Sequence, residues 1–403
     1  MYLTHLSLTN YRAFTRLDMD VPRRILLLVG DNAQGKTSLL EAVFYLAVFS
    51  SFHAQSDRQL INFLSDGEPL AVARIVAEYQ RGDHKHRMEV RLIRESNTNG
   101  ASRLRKEILL DGVRKTLSQA LGHFNAVIFL PQMMRVIEDG PDQRRRYLNV
   151  AIAQAVPGYA SALSKYSQAI TQRNALLRLL GERGGDREQL VYWDSLLTEY
   201  GSQIISNRIR AIKEIEANAV RIHHQLTHSK EVLRMVYQPS YDPVDRPRGQ
   251  YELPLSTPID RNGFDQDAIR KGFMKRVEEL RGEEIARGVT TTGPHRDELR
   301  FLSNGVDLGH FGSRGQVRTA LLSLKLAEVA WLKEKTGFWP VVLLDEILAE
   351  LDTQRREDLL RYLGDEQQVL LTTTDLNLFS EQFVRTSTVW HVNTGRVVET
   401  EAL

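Results

Sequence analysis

The chain reads as an α/β protein: one domain built on a parallel sheet, split in sequence by an inserted, mainly helical lobe. Three observations carry that reading. An apolar run, Ile25 to Val29, opens into a glycine-bracketed loop and then a helical pattern. Far downstream a second apolar run, Val341 to Leu344, ends in two acids. Between them, from about Pro141 to His228, the hydrophobic period becomes that of long helices. These shifts set the expected boundaries: 1–135 for the first half of the sheet domain, 136–288 for the lobe and 289–403 for the second half.

Taken in order, Leu3 to Leu8, Ile25 to Val29, Ala71 to Glu78 and Met88 to Ile93 read as strands around a helix from Lys36 to Phe49. Ile108 to Val113 predicts a hairpin turning at Asp111-Gly112, and Ala126 to Leu130 a further strand ending at Pro131. In the lobe, Leu163, Tyr166, Ile170, Leu176 and Leu180 form one helical stripe, ended near Gly184-Gly185. Trp193, Leu197, Tyr200, Ile204, Ala211, Ile215, Ala219 and Ile222 form a second. Both stripes read as core, and His223-His224 on the second helix reads as surface. Tyr237 to Gly263 holds five of the twelve prolines and predicts a loop with room for one short strand. A hydrophilic helix follows from Gln266 to Arg287. Strands resume at Thr290, and Val369 to Thr372 has the apolar character of a strand buried in a parallel sheet.

The loop after the first apolar run is Gly30-Asp31-Asn32-Ala33-Gln34-Gly35-Lys36-Thr37. Two glycines five apart, followed by Lys and Thr, have the spacing of a phosphate loop. A tight turn at a helix N-terminus aims several backbone N–H groups inward at an anion. Gly30 and Gly35 allow an approach that a Cβ would block. Lys36 can reach the outer phosphates of ATP, and the Thr37 hydroxyl can sit on Mg²⁺. The second run, Val341 to Glu346, supplies the other half: Asp345 for the Mg²⁺ shell, and Glu346 to accept a proton from the attacking water. Upstream of it, Gly312-Ser313-Arg314-Gly315-Gln316 opens a helix from Val317 to Trp331, with Ser313 as a good N-cap.

The order phosphate loop, Ser313-Arg314-Gly315-Gln316, Asp345-Glu346, Ala349-Glu350-Leu351-Asp352 resembles the ABC-type ATPase heads. That resemblance implies a signature motif at Ser313 to Gln316 and a D-loop at Asp352, both completing the ATP site of a second copy. ATP would then join two chains head to tail. The resemblance extends along the chain through Met1-Tyr2-Leu3, Asn10-Tyr11-Arg12, Leu130-Pro131-Gln132, Gly140-Pro141, Arg144 to Leu148, Gln172-Arg173-Asn174 and Thr292 to Leu299. Taken together, these segments resemble the RecF family of bacterial recombination and repair proteins. The insert has no room for the coiled-coil arms of related chromosome-structure ATPases.

From the family resemblance follow Gln132 as a link between Mg²⁺ and the γ-phosphate, and Arg12 as a phosphate or adenine-side contact. A solvated Arg12 is the plainer alternative. Ala33 stands where the family often has Gly, which is tolerated unless the position needs positive φ. Asn149 replaces a frequent Asp, and Glu346 is the ABC-type base. Thr372-Thr373-Thr374-Asp375 stands where transporter heads place a switch His, which favours slow hydrolysis and counts against the alternative of a transporter ATPase subunit. His295 and Arg296, before Asp297-Glu298, fit either a structural ion pair or a nucleotide role.

The implied activity is a weak, DNA-stimulated ATPase serving a binding function in recombinational repair and replication restart. Implied partners are double-stranded DNA and single/double-strand junctions, a second copy of the chain, RecR and RecO, and functionally the RecA recombinase. Net charge is only +2, so a surface for DNA must be local. Residues 101–150 carry nine basic side chains against five acidic ones, among them Arg103, Arg105, Lys106, Arg144, Arg145 and Arg146. Stacking aromatics are not interleaved there, which points to sequence-blind duplex or junction binding.

The 403 residues contain no cysteine, which excludes disulfides and thiolate metal sites. No apolar run reaches membrane-spanning length, and Met1 to His5 lacks the blocks of a signal peptide. A cytoplasmic, nucleoid-associated protein without a membrane partner is expected.

Overall fold

The computed structural model describes residues 1–65, 68–96, 102–244, 259–261, 263–364 and 366–400. In chain order, the first part runs β1 (Tyr2–Tyr11), β2 (Phe14–Asp20), β3 (Ile25–Val29), α1 (Lys36–Val48), β4 (Leu70–Arg81), β5 (His84–Ser96), β6 (Ser102–Leu110), β7 (Val113–Lys115), α2 (Leu117–Ala120) and β8 (Ala126–Phe129). Next come α3 (Arg135–Glu138), α4 (Pro141–Ala155), α5 (Tyr159–Arg183), α6 (Leu190–Leu226), β9 (Leu233–Gln238), α7 (Gln266–Arg287), β10 (Glu298–Ser303), β11 (Val306–Asp307), α8 (Leu308–Phe311) and α9 (Arg314–Thr336). The last part is β12 (Val341–Asp345), α10 (Thr353–Tyr362), β13 (Val369–Thr373), α11 (Glu381–Arg385), β14 (Thr388–Asn393) and β15 (Arg396–Thr400).

Two compact units result: residues 1–133 with 328–403, and residues 134–327. The first unit holds two six-stranded sheets, ordered β2-β1-β4-β5-β6-β7 and β15-β14-β3-β13-β12-β8. The first sheet is antiparallel throughout, with its turn at Asp111-Gly112 as expected. In the second, β14, β3, β13, β12 and β8 run parallel. Helix α1 contacts β4 of one sheet and β8, β12 and β13 of the other. Its run Leu39 to Ala47 is therefore buried on all sides, which explains why it lacks a polar face.

In the second unit α5, α6 and α7 pack together along the two stripes, and β9-β10-β11 forms a small antiparallel sheet. Strand β9 ends at Gln238, just inside the start of the proline-rich segment, and residues 245–258 of that segment lie outside the description. Two expectations differ here. The second unit ends at 327 rather than 288, because β9 packs on α6 and β10 on α4. His223 is fully buried rather than on the surface, although its neighbour His224 is exposed.

The lobe core is polar as well as apolar. The Arg173 guanidinium donates to Asp194 and Glu284 at 2.6 Å and to Thr290 at 2.8 Å. All of these side chains are excluded from water. Arg208 donates to Asp297 at 2.8 Å, and the Asn149 carbonyl oxygen accepts from Arg208 and from the Tyr159 hydroxyl.

Candidate nucleotide site

Parallel pairing sets β3, β13, β12 and β8 with their C-terminal ends on one edge of the sheet. There Val29 lies opposite Thr373, Asp345 opposite Thr372, and Leu344 opposite Phe129. The loop leaving β3 turns at that edge into α1. Gly35 caps the helix at φ 110°, where an L side chain is strained. Ala33 also adopts positive φ, 64°. The position does need positive φ, so the exception to its tolerance applies, at a cost of about 1 kcal/mol. A Cβ on Gly30 would lie 2.3 Å from the Val392 carbonyl oxygen, so β14 closes one side of the loop. The turn after β14 holds the loop as well. The Thr394 N–H donates to Gln34 Oε1 at 2.7 Å, and the Gly395 N–H to the Gln34 carbonyl at 3.2 Å.

Lys36 is only 3 % exposed. Its Nζ donates to the carbonyls of Gly30 at 2.7 Å and Asp31 at 2.9 Å, and pairs with Glu346 Oε1 at 3.2 Å. The Thr37 hydroxyl lies 2.9 and 3.0 Å from the two Asp345 carboxylate oxygens. Thr372, at the matching point of β13, donates to Asp345 at 2.8 Å and accepts from the Glu346 N–H at 2.9 Å. Burial pushes the Asp345 carboxyl above its ordinary range, and the two hydroxyls offset part of that. A buried carboxylate whose partners are hydroxyls suits a hard cation with oxygen ligands, so Thr37 and Asp345 fit Mg²⁺. The glycine cradle, helix N-terminus and Lys36 fit the phosphates that would complete its shell.

Other predicted residues distribute differently. Arg12 makes a two-pronged pair with Glu41 of α1, at 2.8 Å for each bond, and donates to the Gln59 carbonyl at 3.1 Å. It braces α1. Gln132 is exposed, on the turn that follows β8. Asp352 caps α10 by accepting from the Arg355 N–H at 2.9 Å, and also pairs with the Arg355 guanidinium. Asp375 caps the short turn after β13 through the Asn377 N–H.

In the second unit, Ser313 and Gln316 cap the start of α9 reciprocally. The Gln316 N–H donates to Ser313 Oγ at 3.3 Å, and the Ser313 N–H to Gln316 Oε1 at 3.1 Å. Ser313 and Arg314 are exposed, and Gly315 is half-buried.

The basic cluster divides between the two units. Arg103 and Arg105 are exposed on β6, and Arg146 is exposed on α4. Lys106 is tied to Asp57 and to the Phe49 carbonyl, both at 2.7 Å. Arg144 is buried and grips Glu298 with bonds of 2.7 and 3.0 Å. Arg145 donates to the Asp297 carbonyl at 2.7 Å and pairs with Asp142. Arg144 and Lys106 therefore serve the fold and drop out as phosphate contacts. His295 Nδ1 lies 2.8 Å from the Tyr166 hydroxyl, and Asp297 pairs with Arg208. Thr372 was missed as a contributor to the site, as was the hold of Thr394 and Gly395 on Gln34. The Thr run at the end of β13 was a usable signal for the first, and nothing local marked the second.

This fold, a phosphate-loop edge on a mixed sheet with a helical insertion, defines an ABC-type ATPase head of the kind found in chromosome-structure proteins. A solved SMC head bound to the C-terminal winged-helix domain of ScpA shares the fold, at 16% identity and TM-score 0.51 over 99% of this chain and 98% of the other. The family model described as RecF/RecN/SMC N terminal domain matches residues 2–397. The chain belongs to the RecF family. The DNA replication and repair protein RecF of Roseiflexus castenholzii is 34% identical over 98% of this chain and 99% of its own length. That of Exiguobacterium sp. is 33% identical over the whole of both. A solved structure of the recombination mediator protein RecF-ATPrS in the RecFOR pathway superposes with TM-score 0.82 and 27% identity, over 99% of this chain and 98% of that one. No helix among the described residues is long and apolar enough to cross a membrane.

Proposed function

We propose that this chain is an ATP-gated DNA-binding protein of recombinational repair and replication restart. Its ATP-driven homodimer holds duplex DNA or junctions at gaps, helps load the RecA recombinase together with RecO and RecR, and lets go on slow hydrolysis. The observation that carries the reading is the convergence of Lys36, Thr37, Asp345 and Glu346 on one sheet edge. Lys36 binds the outer phosphates. Thr37 and Asp345 hold Mg²⁺, whose charge when bound offsets that of the phosphates. Glu346, half-exposed beside Lys36, takes the proton of the attacking water. Ser313 to Gln316 and Asp352 face the nucleotide of the second copy. Exposed Arg103, Arg105 and Arg146 contribute to phosphate-backbone contacts. Relatives named as DNA replication and repair proteins favour this reading over a transporter subunit.

Sedimentation of the full chain with ATP, with ADP and without nucleotide, each with and without duplex DNA, tests it. A dimer with ATP alone, retained on DNA, is expected. A monomer under all six conditions refutes it.

A further inference from the structure

The motif at the start of α9 is held from beneath by a polar column that the nucleotide chemistry does not use. His223 of α6 is fully buried. Its Nδ1 lies 3.0 Å from Ser323 Oγ, and that hydroxyl donates to the Thr319 carbonyl at 2.7 Å. The Thr319 hydroxyl in turn donates to the carbonyl of Gly315 at 2.9 Å. His223 Nδ1 thus takes its partner from α9, in a donor or acceptor role that the tautomer sets. The Nε2 of the same ring has no hydrogen-bond partner and lies 3.5 Å from Glu231 Oε2.

Glu231, on the connection between α6 and β9, forms the second arm. Its Oε2 accepts from the Ser303 hydroxyl at 2.8 Å, and its Oε1 accepts from Gln316 Nε2 at 3.3 Å. Gln316 is held at both ends of its amide. Nε2 goes to Glu231, and Oε1 accepts from the Ser313 N–H. The two arms therefore reach adjacent residues of the motif: Gly315 through backbone and Gln316 through side chain. They approach each other to 3.5 Å, between His223 Nε2 and Glu231 Oε2.

We infer that Glu231 and His223 are positioning residues for the Ser313–Gln316 motif, fixing the orientation in which it meets the nucleotide of a second copy. The inference rests on the composite-site reading above. Neither residue touches nucleotide; both act through Gln316 and Gly315. A purely structural brace would stabilise the lobe without regard to ATP. A positioning pair instead sets the affinity of the ATP-dependent dimer while leaving nucleotide binding by the single chain alone.

The test is a double-mutant cycle on the full-length chain, reading the ATP-dependent dimer dissociation constant by sedimentation and monomer ATP affinity by titration at high dilution. Glu231→Ala and Gln316→Ala should each weaken the dimer by about tenfold, the loss expected for one charge-assisted hydrogen bond. The double variant should weaken it by little more than either single change, because both remove the same contact. Monomer ATP affinity should stay within about twofold in all three, by the same locality. Glu231→Gln, which keeps the side-chain shape and one acceptor oxygen, should fall between wild type and Glu231→Ala, and guards against a folding defect in the alanine variant.

Effects that multiply to about a hundredfold in the double variant overturn the inference, since independent sites add in free energy. So does a Glu231→Ala dimer as tight as wild type. A wild-type chain that stays monomeric with ATP instead overturns the composite-site reading, and this inference with it.

Discussion

Replacing Lys36 with Ala separates what this side chain does for the fold from what it does for the ligand. Its ammonium is almost fully buried, donates to the carbonyls of Gly30 and Asp31 and pairs with Glu346. Without it, two carbonyls under the loop lose their side-chain donor, which costs the nucleotide-free protein about 1–3 kcal/mol. The chain stays folded, because the apolar face of α1 is untouched. The ligand term is separate. ATP at a hundred times its dissociation constant adds about 2.7 kcal/mol to wild type. If losing the phosphate contact weakens binding by about a hundredfold, the same ATP concentration adds only about 0.4 kcal/mol. Thermal unfolding followed with and without Mg-ATP reads both quantities. Wild type should show a nucleotide-induced rise of several degrees, and Lys36→Ala a lower starting midpoint with almost no rise. A variant whose midpoint rises with ATP as far as wild type would refute the placement of the nucleotide at this loop.

Other outcomes follow from the same geometry. Ser313→Arg should leave single-chain ATP binding intact while blocking the ATP-dependent dimer, as titration and sedimentation on one preparation would show; equal loss of both would place the motif in its own chain's site. Glu346→Gln should stall hydrolysis and lengthen residence on DNA, whereas Asp345→Asn should shorten it by weakening the Mg²⁺ shell; residence times across a salt series measure both, and each should fall steeply with salt. His295, buried against Tyr166, has its pKa lowered from 6.5 to about 4, chiefly by burial. Its folded form stays neutral while the unfolded chain takes up a proton below pH 6.5. Stability should therefore be complete above that pH and fall towards pH 4, by at most about 1.4 kcal/mol per pH unit. His295→Gln should flatten that part of a pH series of urea midpoints.

The nucleotide edge was legible because its information is local. Residues 25–37 contain strand, loop and helix start in one stretch, and Val341 to Glu346 contains a strand and its terminal acids. What could not be read was partnership across the chain. Arg144 in a run of three arginines looks solvated, yet its carboxylate partner is Glu298, 154 residues away. Arg12 beside a strand end has no local sign of Glu41, whose own helix is apolar on every side. Helical spacing put His223 on a helix but could not show that Ser323 of α9 would cover it. Strand β2 went unnoticed because Phe14–Asp20 alternates charges with few apolar residues, and its pairing with β1 rests on backbone bonds that composition does not encode. The end of the second unit was misplaced for the same reason: β10 follows α7 directly, but its neighbours are β9 and α4.

The placement of β3 carries a consequence for how the protein is made. Its two neighbours in the sheet, β13 and β14, come from the last part of the chain, and the turn that grips Gln34 lies at Thr394-Gly395. Strands β1, β2 and β4 to β7, by contrast, find all but one pairing with strands near them in sequence. During synthesis the antiparallel sheet can close early, while the phosphate loop emerges on a strand with no partner. That strand waits for almost the whole polypeptide, and such long-range pairing is slow to form and exposed until it does. The newborn chain is therefore without a nucleotide site until translation is nearly finished, and a ribosome that stops short of β14 leaves a product unable to hold ATP.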